Sequence, residues 1–481
     1  MAIRRYKPEA DTSITNAYKA DLSTRATGSN TGESDVLEVF NIYAQASSTS
    51  SEQSRILIKF PHSGISSDRT AGVVPASGSV SFHLRLFNVA HGETLPTNFT
   101  LEASPVTTAW DEGHGLDMEE FSDMGVSGAL SENAFGGTGA SWNVASSGTE
   151  WTSAGGDYST ATAALVTTAT FEEGTEDALM DITDLVEAWI DGGTANHGIM
   201  VRLSGSFEGG TNSFYTKKFS ARNSEYFFKR PVIEARWDSS ERDDRNNFYA
   251  KSNLRSESDN QNVIAIKNYV DGTLKNISGI TGAMTVKFYT DSTKATEITP
   301  DSNTMDNTAT GVYRATVVLD TSATSVYAEW QDAAGTPVVY HTETIDVKTR
   351  SAAITKIPEY VTTIQNLKKV YSNDEMARFR LFIRSKDWSP TIYTVATKEL
   401  KSEVVADAYF KIVRVVDDFT VVDYGSGTVP HTKLSYDENG PYFDFDMSML
   451  ETGWAYKVEF MYKVNGEMRQ QPETFKFRVV E

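Results

Sequence analysis

An alternation of period two runs through this chain from near its start to its last residues. In Val80-Ser-Phe-His-Leu-Arg-Leu-Phe87, the side chains of Val80, Phe82, Leu84 and Leu86 fall on one face and those of Ser81, His83 and Arg85 on the other. Successive side chains of a strand point to opposite sides, so this pattern predicts a strand with one face buried. Arg378-Phe-Arg-Leu-Phe-Ile-Arg384 repeats it, with Phe379, Leu381 and Ile383 inward, and Glu473-Thr-Phe-Lys-Phe-Arg-Val-Val480 closes the chain in the same way. Gly- and Ser-rich turns separate such stretches. Many short strands with long, turn-rich connections predict an all-β molecule made of sandwiches or jelly rolls.

A chain of 481 residues is too long for one core and implies two to four domains. Residues 1–238 hold the predicted strands Asp11–Ile14, Asp35–Phe40, Val80–Phe87 and Gly198–Leu203. One segment departs from the pattern. Ile182, Leu185, Val186 and Trp189 recur at helical spacing, with Asp181 or Thr183 as a cap and Asp191-Gly-Gly as a stop, which predicts a short helix across the sandwich end. Residues 238–258 are polar and charged and read as a linker or a lip between domains. Residues 259–349 carry about seven strands, Asn262–Lys267, Met284–Tyr289, Gly311–Leu319, Ser325–Trp330, Pro337–Tyr340 and Glu343–Val347 among them, which suits an immunoglobulin-like sandwich. Residues 350–481 form a further β-sandwich with strands at 378–384, 408–416, 456–462 and 473–480.

The charge is uneven. Overall it is −21, which argues against a surface for nucleic-acid phosphates. Between Leu86 and Val201 no Lys or Arg occurs, against 19 Asp and Glu, whereas residues 351–481 hold 17 basic and 19 acidic residues. The acidic stretch reads as a solvated face, as a surface for a basic partner, or as a response to a cation-rich medium. Asp111, Glu112, Asp117, Glu119 and Glu120 form a carboxylate-rich stretch open to calcium, without EF-hand spacing. Near the start, Arg4, Arg5 and Lys7 read either as an arm that docks on an acidic neighbour or as a fraying tail. They are not followed by the apolar run of a secretory signal, and no stretch has the length of a membrane helix. The expectation is therefore a chain made in a cytoplasm, without membrane contact.

Signals for reaction chemistry are weak. There is no Cys, so thiolate nucleophiles, thiolate metal sites and disulfides are excluded. The seven His residues show no metal-ligand spacing, no G-x-S-x-G elbow occurs, and the Gly-rich pieces lack the Lys-Ser/Thr of a phosphate loop. No catalytic residue, cofactor or metal is assigned, and the expectation is a protein that is not an enzyme. Aromatic residues offer the other signal. Trp110 and Trp189 read as core residues, while Trp142 and Trp151, flanked by Ser, Gly and Thr, read with Tyr158 as a candidate platform for stacking a glycan.

Five stretches appear in fixed order: Arg55-Ile-Leu-Ile-Lys-Phe60, Val106 to Glu112 through Trp110, Asp181-Ile-Thr to Trp189, Asn196-His-Gly198, and Phe219-Ser-Ala-Arg222 followed by Arg230-Pro231. Together they resemble the DNRLRE module over roughly residues 11–237. The resemblance implies a jelly roll related to carbohydrate-binding modules, some of which bind polysaccharides such as alginate. Asn223 stands where that family has Glu, and Tyr226-Phe-Phe228 is an added aromatic run. The stretch Arg380 to Tyr393 resembles virion structural proteins of tailed marine phages. These resemblances imply a non-enzymatic virion component, at the neck, tail or capsid surface, present in several copies and docking on other virion proteins. The alternative is an adhesin that recognises a host surface polysaccharide.

Overall fold

A computed structural model describes residues 2–116, 139–307, 309–349, 357–388, 391–396 and 402–481. They fall into two compact units, residues 2–238 and 239–481. Both are built from sheets that are nearly all antiparallel, and the expected series of β-sandwiches is what the chain forms.

In residues 2–238, a four-stranded sheet orders the strands Ile3–Tyr6, Val232–Trp237, Val80–Leu86 and Ala178–Asp181. The other sheet has seven strands. Its path runs Phe214–Ser220, Val36–Tyr43, Ser51–Lys59, Ile199–Leu203, Phe99–Pro105 and Thr167–Phe171, and Ala10–Thr15 pairs with Ser51–Lys59 beside it. The chain crosses repeatedly between the sheets, from Ser51–Lys59 to Val80–Leu86 and back to Phe99–Pro105, as a jelly roll requires. Phe82, Leu84, Leu86, Ile233 and Ala235 share one core with Ile56, Ile58, Leu101, Val201 and Phe219, and all ten are fully buried. Each large apolar side chain so placed contributes about 1.5–3 kcal/mol.

The predicted helix is present as Thr183–Ile190, burying Leu185, Val186 and Trp189. Asp181 Oδ1 accepts hydrogen bonds from the Thr183 amide (3.0 Å) and hydroxyl (2.6 Å), and Thr183 Oγ1 accepts from the Phe82 amide, which pins the helix start to the adjacent strand. A second helix, His62–Thr70, was not anticipated. Its sequence buries only Ile65, and a two-pronged ion pair from Arg69 to Glu187 ties it to the first helix.

Residues 239–481 hold two further sandwiches. In the immunoglobulin-like one, a five-stranded sheet orders Phe248–Tyr249, Val339–Lys348, Ser325–Gln331, Thr285–Tyr289 and Glu297–Ile298, opposite Asn262–Lys267, Val312–Val318 and Ser302–Asp306. Trp330, Phe288 and Phe248 are fully buried in its core. Two expectations change. Residues 339–340 of the first segment and 343–347 of the second lie in one strand, Val339–Lys348, because pairing with Ser325–Gln331 continues through His341 and Thr342, and a bulge opposite Trp330 and Gln331 absorbs the extra residue. The sandwich also begins before residue 259: Phe248–Tyr249 pairs in parallel with Val347–Lys348, and the Asp244 amide donates to Val263 O. Phe248 and Ala250 in the core and the hydrogen bonds of Asp244 and Tyr249 draw this otherwise polar segment into the fold.

The last sandwich packs Tyr360–Ile364, Met376–Ser385, Gly440–Asp446 and Ser435–Asp437 against Val370–Ser372, Glu467–Val480, Ala455–Val464, Ala408–Arg414 and Thr420–Val422. Its core is aromatic, with Phe443 stacked between Phe379 (4.8 Å) and Phe410 (4.1 Å).

Candidate functional site

Strand alternation gives the seven-stranded sheet a second face, away from the core. Arg55 and Leu57 point there, beside Ile14 and Thr12 on one neighbouring strand and Met200 and Arg202 on another. Left bare, Ile14, Leu57 and Met200 would be an apolar patch in water. The described parts of 106–158 cover it. Trp110 (7% exposed), Trp142 (7%) and Trp151 (5%) pack on these three residues, and the Trp110 and Trp151 indole N–H groups donate to His197 O and Ser141 O at 2.7 and 2.8 Å.

Trp142 and Trp151 are therefore not the exposed platform read from the sequence. The Ser, Gly and Thr around them belong to tight local structure, a small hairpin of Val144–Ser146 with Thr149–Glu150 and a turn at Gly155. Gly155 has φ +94°, and a Cβ there would lie 2.7 Å from Arg55 Nη1 and 2.8 Å from the Trp142 ring. Tyr158 is half-buried between two guanidiniums, Arg55 at 5.4 Å and Arg202 at 4.6 Å from its ring centre. Trp110 and Trp189 are core residues, as expected.

The charged groups under this cover form a closed set. Glu208 takes both prongs of Arg55 (2.8 and 3.1 Å) and one nitrogen of Arg202 (2.9 Å), Arg202 also reaches Glu102 (2.6 Å), and Arg55 Nη1 donates to Gly155 O (2.7 Å). Two arginines and two glutamates balance. At the edge, Arg222 grips Glu112 through two contacts of 2.5 Å, Glu112 accepts from the Asp11 amide, and Asp11 accepts from the Arg222 amide. Burial pushes the Asp11 carboxyl up to about 7, against the hydrogen bond from the Arg222 amide, and the Glu112 carboxylate adds to the rise. The short stretches singled out in the sequence thus contact one another. Trp110 meets His197, Glu112 meets Arg222, and Asn196 Nδ2 donates to Phe60 O at 2.7 Å. Gly198 has φ +96° and lies so close to Ile58 O that a Cβ would sit 2.5 Å from it.

The basic residues near the start are neither a free arm nor a fraying tail. Arg4 and Arg5 belong to strand Ile3–Tyr6, in full register with Ile233 to Arg236, and Lys7 follows it directly. Arg4 pairs with Asp68 (2.5 Å), Arg5 pairs with Glu234 (2.8 Å), and the Lys7 ammonium lies 4.4 Å from the Phe227 ring centre. Burial alone would raise the Glu234 carboxyl, but Arg5, Arg85 and Arg236 around it carry it well below the usual carboxylate range. The strand that pairs with Ile3–Tyr6 lies more than 220 residues away in the same chain, which no local reading detects.

Of the carboxylates considered for calcium, Glu112 is held by Arg222, and Asp111 joins the cover through its backbone, to Ala140 and Ala145. Asp117, Glu119 and Glu120 lie outside the described residues. Among the described residues, no group of three or more His, Asp or Glu is placed to hold a metal, and no helix is long and apolar enough to cross a membrane.

The open site is elsewhere, within residues 239–481. The segment 241–247 bonds to both sandwiches of that unit. The Glu241 amide donates to Ser435 Oγ, the Tyr436 amide donates to Glu241 O, and Arg245 reaches Glu343 on the immunoglobulin-like side. Beside it is a cleft of about 470 Å³. Glu241 lines it, paired with Lys267 and within 3.7 Å of Arg314, and it accepts from the Tyr442 hydroxyl (3.2 Å). Arg380 and Asp437, also in the lining, form a two-pronged pair. Burial raises Asp243, on the same segment, to about 6, with Arg245 opposing the rise. The cleft was not read from the sequence, because its walls come from residues 241–277, 314–341 and 378–439. The only trace there was the polar stretch 238–258, read as a linker or a lip.

No family model matches the chain, and the search of curated proteins finds no match. Among solved structures it is similar to an anomalous substructure of titin, at 12% identity over 50% of this chain and 97% of that chain, with a TM-score of 0.16. It is also similar to the N-terminal Ig1-2 module of the Drosophila receptor protein tyrosine phosphatase DLAR (7% identity, 46% and 91% of the two chains, TM-score 0.14) and to the two immunoglobulin domains of DIP-gamma (12%, 46% and 90%, TM-score 0.13). At such scores the β-sandwich fold rests on the sheet pairings above and not on these likenesses.

Proposed function

We propose that this chain is a structural component of a tailed-phage virion, an adaptor or decoration at the neck, tail or capsid surface, acting through protein–protein interfaces. The observation that carries this reading is the role of the DNRLRE-like residues. Arg55, Trp110, Glu112 and Arg222 all hold the cover on the outer face of the sheet, so these residues serve rigidity. Exposed apolar side chains on residues 239–481, Met376, Ile392, Val416 and Trp454 among them, give that unit material for docking. With Trp142 and Trp151 covered, a glycan adhesin built on those rings is not retained. Labelling purified virions with an antibody raised against the chain tests the proposal. Discrete labels at the neck, tail or capsid surface support it, and unlabelled particles overturn it.

A further inference from the structure

We propose that the seven-stranded sheet continues across a two-fold axis into a second copy of this chain, through its edge strand Thr167–Phe171. The inference goes beyond the virion reading and stands apart from it. Thr167–Phe171 pairs with Phe99–Pro105 on one side and ends the sheet on the other. The next strand in fixes where its backbone groups point. Thr100 O accepts from the Ser204 amide (2.9 Å), so the backbone groups of Thr100 turn toward Ile199–Leu203 and away from the facing residue, Thr170. Pairs alternate along an antiparallel ladder, so the N–H and C=O groups of Thr168 and Thr170 point out of the sheet. Both residues are exposed, and among the described residues no hydrogen bond from the chain reaches these groups.

An open edge of this kind is normally guarded by charge, proline, a bulge or shortness. The three other strands that end the sheets of residues 2–238 are guarded. Phe214–Ser220 carries Lys217, Lys218 and a bulge, Ile3–Tyr6 carries Arg4 and Arg5, and Ala178–Asp181 has four residues and ends in Asp181. Thr167–Phe171 has neither charge, proline nor bulge, and no charged residue occurs from Ser159 to Phe171.

The occupant that fits is the same strand of a second copy. When the two run antiparallel about Ala169, Thr168 of each copy lies opposite Thr170 of the other, and every outward group finds its complement. Threonine then faces threonine on the exposed face, a favourable cross-strand pair. Glu172 lies opposite Val166 of the second copy and not opposite another carboxylate. The smallest side chain of the strand, Ala169, stands on the axis. A two-fold contact closes on itself, so assembly through this edge stops at the dimer.

The chain contains no Cys, so one introduced thiol reports the register. Ala169→Cys brings two sulfurs face to face on the axis and should give a disulfide-linked dimer under mild oxidation. Thr170→Cys lies diagonal to its own counterpart, about 7–8 Å away, and should cross-link about tenfold more slowly. Adding Thr168→Lys to Ala169→Cys should abolish the cross-link while leaving the unfolding temperature unchanged. Sedimentation of the unsubstituted chain at about 0.1 mM reads the same contact without a mutation. Two chains of charge −21 repel, so the dimer fraction is expected to grow as salt is raised. A chain that stays monomeric at every salt concentration overturns the inference. So do equal cross-linking rates for the two thiols, or a cross-link that survives Thr168→Lys.

Discussion

The outer face of the seven-stranded sheet and the cleft beside Glu241 are built from the same materials, arginine, carboxylate and aromatic ring, and they end in opposite states. On the sheet, the chain folds a segment back over the charges, so that Glu208 serves two arginines in a space nearly without water and three tryptophans seal it. In the cleft the pairs of Glu241 with Lys267 and of Arg380 with Asp437 remain in contact with solvent, and Tyr269 is exposed beside them. A charged, aromatic cluster becomes scaffold or site according to whether its own chain covers it.

The largest expected effect comes from removing the shared carboxylate under the cover. Glu208→Ala leaves Arg55 and Arg202 buried with fewer partners and should destabilise residues 2–238 by about 3–5 kcal/mol. The matching change in the cleft, Glu241→Ala, removes a partly solvated partner and should cost about 1 kcal/mol or less. Urea unfolding of both variants measures the contrast, and equal losses would erase the distinction drawn between the two regions. Next comes the seal itself. Trp142→Ala opens a cavity over Arg55 and Leu57 and should cost about 3 kcal/mol in the same assay.

A pH titration gives a smaller signal of definite sign. Between the ordinary carboxylate value of 3.8 and about 7, folded Asp11 keeps a proton that the unfolded chain has released. Stability therefore falls as pH rises through that window and levels off above it. Asp11→Asn should flatten the fall, which unfolding temperatures between pH 4 and pH 8 would register. A slope that survives the substitution would place its origin elsewhere. The smallest effect belongs to the exposed ring: Tyr269→Ala should change stability by no more than about 0.5 kcal/mol. A larger loss would mean that Tyr269 supports the fold.

The contrast also explains which expectations succeeded. Strands such as Val80–Leu86 and Met376–Ser385 were legible because alternation is local: each residue's face follows from its neighbour's. The helix Thr183–Ile190 was legible for the same reason at a different period. Helix His62–Thr70 was not, since it buries a single residue and is held by Arg69 to a partner more than a hundred residues away. Trp142 and Trp151 were misjudged because their Ser- and Gly-rich flanks describe only the turns that carry them, and not the sheet beneath.

Composition and periodicity alone were enough to establish an all-β chain of several sandwiches, without thiol chemistry. They act residue by residue and need no knowledge of the partner. Which aromatic rings are covered, where Arg4 and Arg5 find their carboxylates, and that a charged cleft opens beside Glu241 all depend on pairs far apart in the chain. Folding brings those pairs together, and burial then decides whether a charge is locked in place or left open to solvent.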